Sequence, residues 1–482
     1  MNNIERRDFL RYGAASAAFS MLGTRLASAA PKRGRPQKLI VIFGRGGNDS
    51  LNTFIPHGDA DYANYRSAAG LGGSTIAIAP TQSIAMPTTS YVRAHPALQP
   101  IVDRMNLGRG AVLGRVGNDD CKRSHFTEMR IIETGRPGSL ATLLSEGWGA
   151  RFVDGLGLTT DLKGVSHTTR GQRLLFSQQP DAQMPAINRI YDDAGVFLYN
   201  IPPSGLTVAQ LEGAGTQGWR GHGVDTLTNL GAQSNFTQVS GASYFASRDV
   251  LAPPGLPVLT HDAARFPRTG PEVTGSTNAA LAAVGPFNLG MNLLAQLEES
   301  MHVLKNTDAV VCGLDLGAFD THGNQLTDQE RLLAYLAHGM ASCDELAQLD
   351  TAADYMILFV TEFGRTVRSN GNNGTDHGVG TAYIALGDRI RAGVYNMTDP
   401  ALPLNGYGQH WKPLRDSFVN PTQPTNLDYN AVYPASDFRV VFVEILAGMF
   451  GLSNTQLEAV FPGLNAAIAA NPALFARLGF VV

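Results

Sequence analysis

Cysteine is scarce. The 482 residues hold three, Cys121, Cys312 and Cys343, at spacings that match neither a zinc ribbon nor a redox pair. A disulfide-stapled fold is not indicated, and the three are expected to be small buried apolar side chains. Charge is also sparse, at 16% of residues, and nearly balanced at −4. That balance argues against a nucleic-acid partner gripped through its phosphates. No block of like charge marks a tail or a membrane-surface patch. No stretch approaches ~18 consecutive apolar residues, so the mature chain is expected to carry no membrane anchor. The turn Gly44-Arg45-Gly46-Gly47 has neither Walker nor GxGxxG spacing, which sets nucleotide binding aside. Glycine, by contrast, is plentiful at 53 residues, and predicts many tight turns and long loops.

The first residues have the order of an export signal. Arg6-Arg7-Asp8-Phe9-Leu10 supplies paired arginines, Tyr12 to Leu26 a mildly apolar stretch interrupted by Arg25, and Ala27-Ser28-Ala29 a small-residue cleavage pattern. Residues 1–29 are therefore expected to be a twin-arginine (Tat) signal that sends the protein, already folded, to the periplasm or beyond through the Tat translocase. Folding before export would let a metal be loaded in the cytoplasm.

Residues 30–482 are expected to form a single domain. Leu39 to Phe43 is a continuous β-rich apolar run, as are Ala111 to Val116, Ala309 to Leu314, Tyr355 to Val360 and Ala382 to Leu386. Such runs, bounded by turn residues, predict strands buried on both faces, as in a parallel sheet. Helical patterns follow at Leu326 to Leu349 and Asp437 to Met449. Alternating strands and helices indicate an α/β fold with a mostly parallel central sheet flanked by helices. Residues at about 150–300 are rich in Gly, Ser, Thr, Pro and Gln and read as a large loop-rich, cap-like insertion.

Polar residues cluster just after the predicted strands, where ligands bind in open α/β sheets. Asn48-Asp49 follows the first, Arg123-Ser124-His125 the second, Phe319-Asp320-Thr321-His322 the third. Glu362-Phe363-Gly364-Arg365-Thr366 follows the fourth, with Gly374-Thr375-Asp376-His377-Gly378 close behind. Asp, His and Glu converging on one rim could hold Zn²⁺, Mn²⁺, Mg²⁺ or Ca²⁺. Two ions ~4 Å apart would clamp both oxygens of a phosphate or sulfate ester. Ser124, at a helix N-terminus, would be placed to attack. Arg45, Arg123 and Arg365 could hold an anionic substrate. Each piece has a plain structural reading as well: Asp320 as a turn cap, Asn48-Asp49 as turn chemistry, Ser124 as an N-cap, and Glu362 with Arg365 as a salt bridge. The order of the pieces along the chain is what points to a site.

These residues resemble a bacterial Tat-exported family known as domain of unknown function 1501, placed in the alkaline phosphatase and sulfatase superfamily. The resemblance runs through Phe43 to Asp49, Leu51-Asn52-Thr53, Pro56, His95-Pro96-Ala97-Leu98 and Arg123-Ser124-His125-Phe126. It continues through the Asp320, Glu362 and Asp376 segments and closes at Asp437-Phe438-Arg439. It implies an alkaline phosphatase/sulfatase-like fold. It also implies one or two divalent metal ions held by Asp49, Asp320, His322, Asp376 and His377, with Glu362 as a further ligand. Ser124 and Arg365 would serve the reaction, and Arg45, Arg123 and His125 the substrate. Two departures stand out. The superfamily commonly has Asp-His after the fourth strand, where this chain has Glu362-Phe363, so one metal site is altered or lost. Cys121 is followed by Arg123 and His125, which does not fit the sulfatase signature for formylglycine.

The resemblance thus implies an exported metal-dependent hydrolase of small anionic esters of the phosphate or sulfate type. The alternatives are a non-catalytic exported binding or assembly protein that keeps the hydrolase fold, and a phosphomutase-like transferase. A fold analogy alone does not choose among them.

Overall fold

A computed structural model describes residues 35–67, 75–136, 146–160, 162–167, 173–175, 250–251, 256–418 and 430–482. The expected export signal at 1–29 and the middle of the stretch at about 150–300 lie outside the described residues.

The described strands are β1 (Gln37–Gly44), β2 (Phe54–Ile55), β3 (Ile84–Met86), β4 (Thr89–Ala94), β5 (Gly110–Gly117), β6 (Gly164–His167), β7 (Val311–Leu316), β8 (Asp354–Thr361), β9 (Thr381–Gly387), β10 (Gly393–Tyr395) and β11 (Ser436–Asp437). Eight of them form the central sheet, in the order β10-β5-β9-β8-β1-β7-β6 with β11 also on β5; β2, β4 and β3 form a small separate sheet. All five apolar runs read from the sequence are strands of the central sheet. Within the central sheet every described pairing is parallel except those of β9, which runs against both β5 and β8. The chain has the expected mostly parallel sheet flanked by helices, an α/β fold.

Alternation along each strand explains why the runs are apolar without a break. In β1, Ile40 and Ile42 enter one core and Leu39, Val41 and Phe43 the other. Its neighbour β8 does the same, with Ile357 and Phe359 on the first side and Met356, Leu358 and Val360 on the second. The register sets Ile40 beside Ile357 and Val41 beside Leu358. A sheet covered on both faces needs apolar side chains at every position, each contributing ~1.5–3 kcal/mol on full burial. The first core is closed by the helices Gln99–Asn106, Asn288–Asn306 and Gln325–Leu349. The second is closed by His125–Thr134, Trp148–Gly155 and Phe438–Gly448.

Both described ends of the stretch at about 150–300 belong to these layers. Residues 164–167 are the edge strand β6, paired with β7, and Asn288–Asn306 packs against β7 and the Gln325–Leu349 helix. Among the described residues no helix is long and apolar enough to cross a membrane. The three cysteines are free thiols, Cys312 and Cys343 buried and Cys121 half-buried.

His95 is a buried member of this frame. Its Nδ1 accepts the Ala97 N–H at 3.1 Å and so caps the 3-10 turn Pro96–Leu98. Burial holds its pKa down to about 4. The unfolded chain takes up a proton at this residue below pH ~6.5, whereas the folded chain stays neutral down to about pH 4, so acid favours unfolding between those limits. Above pH ~6.5 the penalty is absent. His95→Asn keeps a capping oxygen and removes the titration. Urea unfolding at pH 7 and pH 5 is expected to show a loss of stability in the wild type that exceeds the variant's by about 2 kcal/mol. Equal losses would mean that His95 titrates in the folded state much as it does in water.

Candidate metal centre

The carboxyl ends of β1, β5, β7 and β8 lie on one edge of the sheet, and the loops that leave them are stitched together. The Arg45 N–H donates to Leu316 O at 2.8 Å, and the Phe319 N–H donates to Arg45 O at 3.0 Å. This close approach depends on Gly46. Its φ is +116°, and a Cβ there would lie 2.4 Å from the Asp320 nitrogen, so a side chain is excluded twice over. Gly374 plays the same part on the other side, where a Cβ would lie 2.4 Å from the His322 carbonyl carbon.

Three imidazoles meet in the space so formed. His125 Nε2 is 3.0 Å from His377 Nε2, and His377 Nε2 is 3.0 Å from His322 Nε2. Asp320 Oδ1 lies 3.3, 3.1 and 3.2 Å from the Nε2 atoms of His125, His322 and His377. The ligand atoms of His125, Asp320 and His377 all lie within 4.8 Å of one another, and His322 closes a second triangle on the His377–Asp320 edge.

The outer nitrogens show what the inner ones can do. His125 Nδ1 is 2.7 Å from Glu362 Oε1, His322 Nδ1 is 2.9 Å from Asp376 Oδ1, and His377 Nδ1 is 2.8 Å from the Arg123 carbonyl. Each of those oxygens accepts, so each Nδ1 carries the proton and each neutral ring turns an Nε2 lone pair inward. Lone pairs 3.0 Å apart repel unless a cation sits among them. A tetrahedral ion at 2.0–2.1 Å from its ligands holds them about 3.3 Å apart, close to the spacings here. The backing of each ring by a carboxylate or a carbonyl is the usual support of a metal-bound histidine. His125, Asp320 and His377 are thus a candidate divalent-metal cluster whose donors fit an ion.

Electrostatics agree. Burial works to raise the Asp320 pKa, but the hydrogen bond and charge of Arg365, with His125 and His322 beside it, hold it down to about 2. The hydrogen bond to Glu362 raises His125, while burial and the charge of His125 lower His377. The cluster is closed on the Glu362 side, where the carboxylate side chain is fully buried, and open on the Asp320, His322 and Asp376 side, where side chains are 44–61% exposed.

Not every expected residue lies here. Asp49 is fully buried in a two-pronged pair with Arg66, at 2.5 and 2.8 Å, and also accepts from Gln325 Nε2 and the Leu51 N–H. Its oxygens are turned to these donors rather than offered to an ion. Arg45 leaves the rim to pair with Glu133 at 2.8 Å and Asp315 at 2.9 Å, over the ring of Phe43. Arg365 touches the cluster but faces no open space. It is buried and donates to the carbonyls of Gly46, Gly47, Phe319 and Thr375 as well as to Asp320 Oδ1 at 2.5 Å, so it braces three loops. Glu362 and Asp376 lie against histidine Nδ1 atoms, whereas His125, expected at the substrate, belongs to the candidate cluster. Arg123, left-handed at φ 56°, contributes its carbonyl. Ser124 stands at the N-cap of the His125–Thr134 helix without a side-chain capping bond.

The profile of a family described as Protein of unknown function (DUF1501) matches residues 301–409. The matched stretch holds Asp320, His322, Glu362, Arg365, Asp376 and His377, while Ser124 and His125 lie outside it. No curated protein matches the chain. Among solved structures, it is similar to the integral membrane protein lipooligosaccharide phosphoethanolamine transferase A from Neisseria meningitidis. That match has 7% identity and a TM-score of 0.29, and covers 74% of this chain and 49% of that one. Two others are Ps i-CgsB in complex with k-i-k-neocarrahexaose, at 10% identity and TM-score 0.30, covering 76% and 69%, and a 2-O GAG sulfatase, at 10% identity and TM-score 0.25, covering 74% and 65%. The chain spans about half the length of the first of these, and likeness at this level says nothing of its chemistry.

Proposed function

We propose that this protein is an exported metal-dependent hydrolase of phosphate- or sulfate-type esters, with its reaction centred on His125, Asp320 and His377. The observation that carries the reading is the inward convergence of imidazole Nε2 atoms whose Nδ1 atoms are all engaged. A nitrogen-rich set with one carboxylate suits Zn²⁺ better than Mg²⁺ or Ca²⁺, which prefer oxygen. Such an ion would supply Lewis-acid stabilisation of charge on the ester oxygens. The chain's own residues do the rest. Asp320, kept ionised by Arg365, balances positive charge. Glu362, Asp376 and the Arg123 carbonyl hold the three rings in one tautomer. Ser124, one residue from His125 at the start of a helix, would offer its hydroxyl to an anionic ester, which the helix N-terminus favours.

A binding or assembly role without turnover is the second reading. It is favoured by Asp49, whose carboxylate is taken up by Arg66. Ester screening with the wild type and Ser124→Ala separates the two. Turnover that falls at least about 100-fold in the variant, with metal content unchanged, supports the hydrolase. A metal-loaded wild type that cleaves no ester supports the binding role.

Glu362→Gln tests the second layer of the cluster. The amide still fills the space but no longer offers His125 a charged acceptor. Metal affinity, measured by competition with a chelator, is expected to fall about 10–100-fold. An unchanged affinity would show that His125 needs no such support.

A further inference from the structure

A second site stands apart from the metal cluster, on β5. Between Leu113 and Val116 the register of β5 against β9 shifts, and Arg115 takes a left-handed backbone at φ 52°. The irregularity turns the Arg115 side chain inward, where it is 7% exposed. Its Nε donates to Tyr433 O at 3.2 Å and its Nη1 to His410 O at 2.6 Å. Among the described residues its Nη2 has no acceptor, and no carboxylate pairs with it. Lys412 stands close by, with its Nζ 4.0 Å from the centre of the Tyr433 ring. Burial and the charge of Arg115 both lower the Lys412 pKa. Lys412 feels Asp416 only through its field, without an ion pair. The segment that carries Lys412 is pinned, because Trp411 Nε1 and the Leu414 N–H both donate to Asp59 Oδ2 at 2.8 Å.

A buried guanidinium normally has a carboxylate fork against it. Here two cations share one patch, and among the described residues the arginine's only acceptors are two carbonyls. Burial pulls Arg115 down to about 10, the direction expected of a charge that lacks its counter-ion. The patch also has a place relative to the metal cluster. β5 runs directly into the 118–125 loop, and Tyr433 packs with Val379, two residues beyond His377, and with Cys121.

We propose that Arg115 and Lys412 form an anion subsite at this edge of the sheet, which takes an anionic oxygen group (phosphate, sulfate or carboxylate). As part of the reaction it rests on the hydrolase reading and assigns the substrate a second negative charge; as an anion site it stands without that reading.

The test is titration calorimetry of the full chain with inorganic phosphate, sulfate and acetate in separate runs. Each is added to the wild type, to His377→Ala, and to Lys412→Met and Arg115→Gln made in the His377→Ala background. At least one anion is expected to bind when the metal cluster is broken, about tenfold more weakly with Lys412→Met, and not measurably with Arg115→Gln. Lys412→Met decides the matter should Arg115→Gln fail to fold, as judged by circular dichroism. No binding by His377→Ala, or binding that Lys412→Met leaves unchanged, overturns the proposal. Binding at this pair in a wild type that holds no metal keeps the subsite and removes the hydrolase.

Discussion

Wild-type protein dialysed against metal-free buffer is expected to retain about one equivalent of zinc per chain, and His377→Ala less than about a tenth of that. Plasma mass spectrometry on the two preparations measures it. The size of the effect follows from where His377 stands. Its Nε2 is, with Asp320 Oδ1, one of the two corners common to both triangles, 3.0 Å from His125 and 3.0 Å from His322, with Asp320 at 3.2 Å. Removing it takes one donor from each triangle at once. His125 belongs to one triangle and is half-buried against Glu362, whereas His322 belongs to the other and is 44% exposed. Retained metal should therefore rank His322→Ala above His125→Ala above His377→Ala. A wild type that holds no metal, and takes up none when zinc is returned to the folded protein, would sink the hydrolase reading. An inverted rank would move the ion to the exposed side of the cluster.

Arg66→Met is expected to give the largest loss of stability, about 3–5 kcal/mol by urea unfolding. Arg66 and Asp49 both have no exposed side-chain surface. Two charges so buried are tolerable only together. With the arginine gone, Asp49 keeps Gln325 and one backbone N–H but no opposite charge. Arg66→Met combined with Asp49→Leu should recover part of the loss, because the stranded charge is removed with its partner. Metal content should stay at the wild-type level in Asp49→Asn, which separates this role from that of a ligand. An Asp49→Asn protein of unchanged stability that has lost its metal would return Asp49 to the cluster.

Those two residues mark where reading the sequence succeeds and where it stops. Leu39 to Phe43 and Tyr355 to Val360 declare themselves as buried strands because both of their faces are apolar. Asp320, His322 and His377 stand out as candidate donors through residue type and place in the loops that follow strands, and the fold brings the three together. The direction of β9 is not legible, since a continuous apolar run reads the same both ways. Nor is β6, whose Gly164-Val165-Ser166-His167 is too short and too polar to stand out. Asp49 looks like a ligand until Arg66 is found beside it, and nothing local announces that pairing. His125 looks like a substrate-binding residue; its place beside Asp320 and His377 depends on Glu362, which comes from a loop far along the chain. The Glu362-Phe363 pair that departs from the superfamily pattern was the available hint, because a carboxylate there can back a histidine as well as bind an ion.

The threading of β1 has a consequence for when the protein becomes competent. The strand nearest the start of the described chain finds its two neighbours in β7 and β8, both beyond residue 310. Until the ribosome has released that far region, β1 has no ladder to join, Gly46 has no Asp320 loop to pack against, and the histidines share no common space. Loop closure over such spans is slow, so the nascent chain must be kept from sticking to itself while it waits. Under the proposed metal-dependent reading, ion capture would then be a late step in biogenesis, reporting that the loops after β1, β5, β7 and β8 have come together.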